Sequence, residues 1–243
     1  MDNQEYNKIV SFIWGIADDC LRDIFDRGDY RKIILPMTVI RRLDSVLEGT
    51  KKDVLKMKQQ LDAAGVANQW VALCSVAGQS FCNVSPFMLK DLTSRAKKQT
   101  LEADFKAYLQ GFSPNVQIII DKFEFWPKIK TMVEADILGA VIDKFTSSDI
   151  NLSPYPVYKD EQKTIVKLPG LDNHGMGTIF EELLRRFNEE NNESAGQYWT
   201  PRDVVELMAD LAMYPVADKI KDSTYSCYEQ RCLGLIQYWE RCA

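Results

Sequence analysis

Apolar residues recur every three or four positions over most of the first 146 residues of the chain. This spacing puts apolar side chains on one face of an α-helix, and it predicts one helix over residues 4 to 25 and a second from about residue 30 to 47. We expect Gly28 to end the first helix and Asp29 to cap the second. Pro36 lies inside the second helix and predicts a kink there, because proline removes a backbone donor.

The helical period continues after residue 60 in shorter runs. It predicts a short helix from Trp70 to Val76, one from Ser85-Pro86 to about Lys97, and one that begins near Leu101 and is closed by Gly111. Ser113-Pro114 should open a further helix, although three consecutive isoleucines at 118 to 120 leave a strand as the alternative. Two more helices are predicted at about 127 to 135 and 136 to 146. We therefore predict a mainly α N-terminal domain over residues 1 to 147.

The pattern changes between residues 148 and 173, where prolines and glycine are frequent and apolar residues are few. Such a composition is typical of a connection between domains. We predict an interdomain linker here, with a short strand at about 164 to 168.

A strong helical period returns in the segment that follows this linker. Residues 175 to 187 place five apolar side chains on one face, and Glu181 with Arg185 and Glu182 with Arg186 are expected to pair across one turn. A polar loop then leads to the run Ala195-Gly196-Gln197-Tyr198-Trp199-Thr200-Pro201-Arg202-Asp203. Thr200 can cap a helix and Pro201 suits its first turn. The free N–H groups of such a helix start can hold an anion, although a helix cap alone is the more frequent role.

Two separated motifs resemble one family. Phe180-Glu181-Glu182-Leu183-Leu184-Arg185-Arg186-Phe187, the polar loop and the run from Ala195 to Arg202 resemble the modification subunit of type I restriction-modification systems, an N6-adenine DNA methyltransferase. Residues 12 to 47 resemble the helical domain that precedes the methylase core in the same subunits. The resemblance extends from residue 1 to about 222. It implies S-adenosylmethionine as the cofactor, held in part by the positions Tyr198, Trp199, Thr200 and Pro201. It also implies four partners, which are DNA, the specificity subunit, the restriction subunit and a second copy of the modification subunit.

Two motifs that the family uses for chemistry are not found in the sequence. One is a glycine-rich turn soon after the Thr-Pro helix, where only glycine lets the backbone approach the cofactor. The other is an Asn/Asp-Pro-Pro-aromatic motif for the flipped adenine. Residues 226 to 243 stand where the glycine turn is expected, and a change of reading frame would explain them. We therefore expect residues 174 to 228 to be the first helices of a truncated α/β methyltransferase domain, and residues 229 to 243 to be an aberrant tail.

On this interpretation the chain contributes to DNA clamping and to assembly with the specificity subunit, carries no catalytic residue and is inactive alone. The alternative is a stand-alone helical module that binds DNA or protein. In that case the segment from Tyr198 to Pro201 is only a helix cap.

The distribution of charge indicates where DNA could bind. The chain has a net charge of -5 and a pI near 5.1, which gives no support to a strongly basic nucleic-acid binder. Residues 30 to 60 nevertheless carry eight basic side chains against three acidic ones. We predict DNA-phosphate contacts from this stretch, with a solvated helix surface as the alternative. The four residues predicted to make them are Arg31, Lys32, Arg41 and Arg42.

Cysteine, histidine and hydropathy argue against several other classes. The six cysteines include no C-x-x-C pair and His174 is the single histidine, which argues against a zinc site and against a disulfide framework. We expect no metal ligand, and a surface or capping role for His174. No apolar run approaches the roughly 18 residues of a membrane span, and the acidic N-terminus is no signal peptide. The sequence therefore predicts a cytoplasmic protein without a membrane contact.

Overall fold

The computed structural model describes residues 3–94, 100–190 and 202–219. The chain divides into two compact units, Met1–Asp172 and Asn173–Ala243. Within the described residues, no helix is both long and apolar enough to cross a membrane.

The first unit is built almost entirely of helices, as the mainly α prediction requires. Their order is α1 Asn3–Cys20, α2 Arg31–Leu47, α3 Lys51–Ala63, α4 Trp70–Ala77, α5 Leu89–Ser94, α6 Leu101–Gln110, α7 Pro114–Lys122, α8 Phe125–Glu134 and α9 Leu138–Phe145. The helix α7 begins after Ser113, whose extended backbone (φ -60°, ψ 154°) leads into Pro114. The strand alternative for the three isoleucines is therefore wrong.

The first helix ends earlier than the apolar pattern predicts. It stops at Cys20, and Asp23 shortly after it has a left-handed backbone with φ 68°. Residues Arg27–Asp29 form a separate 3-10 turn, and α2 follows Tyr30 without a side-chain cap. The expected roles of Gly28 as a helix stop and Asp29 as a cap are therefore wrong. Asp29 instead accepts a hydrogen bond from Lys128 Nζ at 2.6 Å.

The start of α5 also differs from the prediction. This helix begins at Leu89 and not at Ser85-Pro86. Its N-terminal N–H groups are taken by two carboxylates, since Met88 N donates to Asp91 Oδ2 at 2.8 Å and Leu89 N donates to Asp44 Oδ1 at 3.0 Å. A carboxylate that accepts a hydrogen bond from the first turn fixes a helix start. Asp91 lies after the predicted cap Ser85, and Asp44 lies far before it.

The core of the first unit forms around α2, which packs against α1, α8 and α9. Its side chains Ile33, Ile34, Met37 and Ile40 are fully buried. The helix continues through Pro36, and the predicted kink stays a prediction. Thr38 Oγ1 donates to Ile34 O at 2.7 Å, so its hydroxyl is satisfied inside the core.

A cluster of aromatic rings adds a second part of this core. Phe105 meets Phe125 edge to face with centroids 6.3 Å apart, and Tyr108 meets Phe112 in the same way at 5.4 Å. Such pairs contribute about 0.5–1.5 kcal/mol beyond the burial of their area. The cluster joins α6 to α8 and holds Tyr108 at the polar site described below.

Residues 148–172 belong to the first unit and contain its only described sheet. The strand β1, Val157–Tyr158, pairs antiparallel with β2, Val166–Leu168. The predicted strand at 164 to 168 is thus found, and β1 is its unpredicted partner. The two ends of the segment are buried at Ile150, Leu152 and Leu171, whereas Ile165 in the middle is 55% exposed. The role of this segment as a linker between domains stays a prediction.

The second unit begins with two helices where the sequence predicted them. The helix α10, Asn173–Glu190, buries Ile179, Leu183 and Phe187. The helix α11, Arg202–Met213, buries Val205 and Ala209 but leaves Leu207 and Leu211 exposed. A 3-10 segment, Tyr214–Lys219, follows. The tail from residue 220 onward lies outside the described residues.

Candidate nucleic-acid interface

The predicted cofactor positions Tyr198, Trp199, Thr200 and Pro201 lie outside the described residues. The helix α11 is described from Arg202, directly after them. Their proposed contact with S-adenosylmethionine therefore stays a prediction.

The eight basic residues of the stretch from 30 to 60 do not form one surface. Arg42 and Lys51 are 8% and 6% exposed, and the side chain of Arg41 is 17% exposed. Lys52 and Lys56 are exposed, while Arg31, Lys32 and Lys58 are half-buried. The stretch therefore divides into three inward cations, which serve the fold, and a more open group.

Arg42 fastens the segment 148–172 to α2. Its Nη1 donates to Leu152 O at 2.7 Å and to Leu171 O at 2.6 Å. Ser45 Oγ adds a bond to Leu152 O at 3.1 Å. Burial lowers the pKa of Arg42, and Asp172 acts in the opposite direction, but arginine stays charged at any physiological pH. We call this arrangement the Arg42 clasp. It occupies Nη1 of Arg42, so this guanidinium has little surface left for a phosphate.

Arg41 belongs to a buried polar site centred on Asp44. Arg41 Nε donates to Phe145 O at 3.1 Å, and its Nη1 lies 3.3 Å from Asp44 Oδ2. Asp44 Oδ1 also accepts from Tyr108 Oη at 2.8 Å and from the backbone of Leu89. Burial raises the pKa of Asp44 despite these donors, and it raises the pKa of Tyr108 well above 10.0. The site joins α2, α5, α6 and α9 around one carboxylate.

Lys51 lies at the start of α3 and is also committed to the fold. Its Nζ donates to Asn83 Oδ1 at 2.8 Å and to Asn83 O at 3.2 Å. Burial lowers the pKa of Lys51 to about 8, and the nearby carboxylate of Asp44 acts against that shift. Asn83 is held in turn by the donation of its Nδ2 to Tyr108 O at 3.0 Å. A lysine in this position cannot reach a phosphate group outside the unit.

Arg31 and Lys32 remain near the surface at the start of α2. The side chain of Lys32 is 40% exposed and lies 3.3 Å from Asp29 Oδ1. Lys128 Nζ lies 2.6 Å from the other oxygen of that carboxylate. The hydrogen bond from Lys128, with a smaller one from Lys32, lowers the pKa of Asp29. Two lysines thus share one aspartate, and the structure brings Lys32 together with a basic residue almost a hundred positions away.

The helix α3 carries two further cations among the eight basic residues, and neither is one of the four predicted DNA contacts. Lys52 and Lys56 are exposed, lie one helical turn apart, and make no ion pair with a described residue. Lys58 differs, because its Nζ is bound by Asp62 at 2.6 and 2.7 Å. The spacing of four residues was the available sequence signal. It places Lys52 and Lys56 on one helix face, where both can meet a nucleic-acid backbone.

Other kinds of site have less support among the described residues. No group of three or more His, Cys, Asp or Glu side chains is arranged to hold a metal there. A cleft of about 300 Å³ lies between α1 and the segment 148–172, with walls that include Ile9, Phe12, Lys8 and Asp149. Its lining mixes both signs of charge and indicates no particular ligand.

Comparison with protein families gives two matches along the chain. Residues 9–145 match the family described as HsdM N-terminal domain. Residues 171–227 match the family described as N-6 DNA Methylase. Searches of curated proteins and of solved structures give no match.

Proposed function

The chain belongs to the HsdM N-terminal domain family as the N-terminal part of an HsdM-like type I modification subunit, and from that premise we propose that it contributes to DNA clamping and to assembly with the specificity subunit. The observation that carries this proposal is the order of the two matches. A helical domain covers more than half of the chain, and methylase sequence follows it after residues 146–170. A stand-alone helical module would not be expected to contain methylase sequence after its helical domain.

The DNA contact is proposed for the more open cations of the first unit. These are Arg31 and Lys32 at the start of α2 and Lys52 and Lys56 on α3. Lysine and arginine side chains that neutralise phosphates release counterions and so supply affinity without reading sequence. Arg41 and Arg42 would act indirectly in this scheme, because their hydrogen bonds hold α2, which carries Arg31 and Lys32, against the rest of the first unit.

The cofactor proposal follows from the methylase match, since the N-6 DNA methylase family depends on S-adenosylmethionine. We assign Tyr198, Trp199, Thr200 and Pro201 to one wall of its site. These residues alone provide few of the contacts that a micromolar affinity of about -8 kcal/mol needs. Isothermal calorimetry of these 243 residues should therefore detect weak binding of S-adenosylmethionine or none. A separate assay of methyl transfer to adenine should detect no activity. Micromolar binding would show that the main pocket lies within this stretch.

A charge-reversal experiment tests the DNA contact. The double variant Lys52→Glu with Lys56→Glu should weaken binding to a short duplex at low salt, measured by fluorescence anisotropy. The slope of log affinity against log salt should fall by about 2, because two phosphates are no longer neutralised. Lys58→Glu is the matched control on the same helix and should change DNA binding less, since Lys58 already forms an ion pair with Asp62. Equal binding by the double variant and the wild type would refute the proposed role of these two lysines.

Assembly with the specificity subunit is tested separately. Size-exclusion chromatography of the chain with the specificity subunit of its own system should give a joint peak, and the DNA variants should retain it. No joint peak, together with DNA binding that persists at high salt, would favour base readout by an independent module.

A further inference from the structure

Two cysteines of the first unit lie close together although nothing in their sequence spacing indicates it. Cys74 lies on α4 and Cys82 in the extended segment that follows this helix. Cys74 Sγ donates to Cys82 Sγ across 3.6 Å. Both are free thiols. A separation of eight residues matches no common motif, so only the fold brings them together.

The backbone on both sides of this thiol pair is fixed. Ser113 N donates to Cys82 O at 2.9 Å, Cys82 N donates to Ser113 Oγ at 3.3 Å, and Asn83 forms a bridge with Phe112. On the other side α4 ends at Gly78, whose φ of 65° allows Gln79 N to donate to Cys74 O at 3.2 Å. The sulfurs of a disulfide are about 2.05 Å apart. Side-chain rotation therefore has to bring the two sulfurs closer by roughly 1.5 Å, with the backbone in place.

The two thiols differ in their access to solvent. Cys74 is half-buried, whereas Cys82 is 0% exposed. Burial raises the pKa of Cys82 to about 12, and the neighbouring Cys74 thiol acts in the same direction. An oxidant from solution meets Cys74 first, because exposure and thiolate character govern cysteine oxidation. Cys82 is then the only cysteine among the described residues within contact of the oxidised sulfur.

We propose that Cys74 and Cys82 form an oxidation site for hydroperoxides, with Cys74 as the attacking thiol and Cys82 as the resolving thiol. The Cys74 sulfur attacks the terminal peroxide oxygen, the O–O bond breaks, and an alcohol or water leaves with the thiol proton. Cys74 becomes a sulfenic acid. The Cys82 sulfur then attacks the Cys74 sulfur, the S–O bond breaks, and the hydroxyl leaves as water with the proton of Cys82. Two thiols and one hydroperoxide thus give one disulfide, one alcohol or water, and one water.

Two features around Cys82 act on the second step in opposite directions. Burial is the main cause of the raised pKa of Cys82 and keeps this thiol protonated. The positive charge of Lys51 acts the other way and favours the thiolate that attacks Cys74. The new bond would join α4 to the segment whose Asn83 holds Lys51.

The digestion pattern of the full chain makes a direct test available. No lysine or arginine occurs between Gln59 and Lys90, so trypsin releases both cysteines on one peptide that contains no other cysteine. After treatment with hydrogen peroxide and alkylation under denaturing conditions, this peptide should lack two hydrogen atoms and carry no alkyl group. Dithiothreitol should restore both thiols. Chymotrypsin, which cuts after Phe81 between them, should leave the two halves joined.

Three variants assign the roles of the two thiols. Cys82→Ser should accumulate the Cys74 sulfenic acid, which dimedone traps, and then more highly oxidised forms. Cys74→Ser should leave Cys82 fully open to alkylation after unfolding. Cys20→Ser, at a buried thiol elsewhere in the unit, should behave as the wild type. Peroxide should also raise the thermal midpoint of the wild type by a few degrees, and not that of Cys82→Ser.

Two results would overturn the assignment. One is a wild-type peptide in which Cys74 carries two or three added oxygens while Cys82 remains a thiol. The other is a peptide with both thiols unmodified under peroxide concentrations that oxidise a free cysteine. Both results are read from the wild-type protein, so they do not depend on whether the variants fold.

Discussion

Loss of the Arg42 clasp should destabilise the first unit strongly. The substitution Arg42→Met keeps much of the side-chain length and removes both donors to Leu152 O and Leu171 O. Hydrogen bonds from a charged donor contribute about 1.5–3 kcal/mol each. Ser45 still serves Leu152 O after the change, so the expected loss is about 2–4 kcal/mol.

The loss can be measured as a shift in unfolding temperature. For a unit of this size, 1 kcal/mol corresponds to about 2–4 °C, and Arg42→Met should therefore lower the midpoint by roughly 5–15 °C. Arg42→Lys should recover part of the loss, because its single amino group can reach one carbonyl. Lys52→Met, at an exposed position on α3, is the control and should change the midpoint little.

This measurement also separates the two roles considered for Arg42. If Arg42→Met unfolds at the wild-type temperature and yet binds DNA weakly, the clasp contributes little and the arginine contacts DNA directly. If it is destabilised as expected, any loss of DNA binding must be measured well below the unfolding temperature before it is assigned to a phosphate contact.

Three further predictions follow from the first unit. Within residues 138–172, trypsin should cut first after Lys159, Lys163 or Lys167, where the segment is exposed between its buried ends; earlier cleavage in α9 would contradict this. Since burial lowers the pKa of Lys51 to about 8 from 10.5, the unfolded chain binds more protons between these values, and the contribution of Lys51 to stability should rise with pH across that window. Chemical denaturation of the wild type and Lys51→Met from about pH 7 to 10 should show a difference that changes with pH; a constant difference would contradict the assignment. Gly170→Ala should lower the free energy of unfolding by at least about 2 kcal/mol, because the added Cβ would lie 2.3 Å from Pro154 O. The added Cβ of Gly15→Ala in α1 meets nothing within 4 Å, and this variant should raise the free energy of unfolding by about 0.5–1 kcal/mol in the same denaturation experiment.

Periodicity predicted the helices well because it is a local property of the chain. The apolar period placed α2, α4, α6 and α7 close to their observed bounds. It failed at ends fixed by particular contacts. Asp23 ends α1 through a left-handed backbone that no apolar pattern marks. The N–H groups at the start of α5 are taken by Asp91 and by Asp44, the latter 45 residues before its partner Leu89.

The candidate site was less predictable because the direction of a charged side chain depends on distant partners. Arg42 bonds to carbonyls that lie 110 and 129 residues further along the chain. In the sequence it is indistinguishable from an exposed helix arginine, since its neighbours supply no sign of those carbonyls. The same holds for Lys51, whose acceptor Asn83 is 32 residues away. A count of basic residues therefore located the charged stretch but not the side chains that face solvent.

The Arg42 clasp bears on where the chain can accept an insertion. Because Leu152 and Leu171 are bound by one guanidinium, the residues between them form a closed loop with its ends held near each other. The entropy lost on closing such a loop grows only with the logarithm of its length, and doubling it costs about 0.6 kcal/mol. A short tag or fluorescent label inserted between Glu161 and Gln162, in the exposed turn, should therefore be accepted without displacing the buried residues Leu152 and Leu171. This turn is a natural place to attach a probe that follows the subunit during assembly.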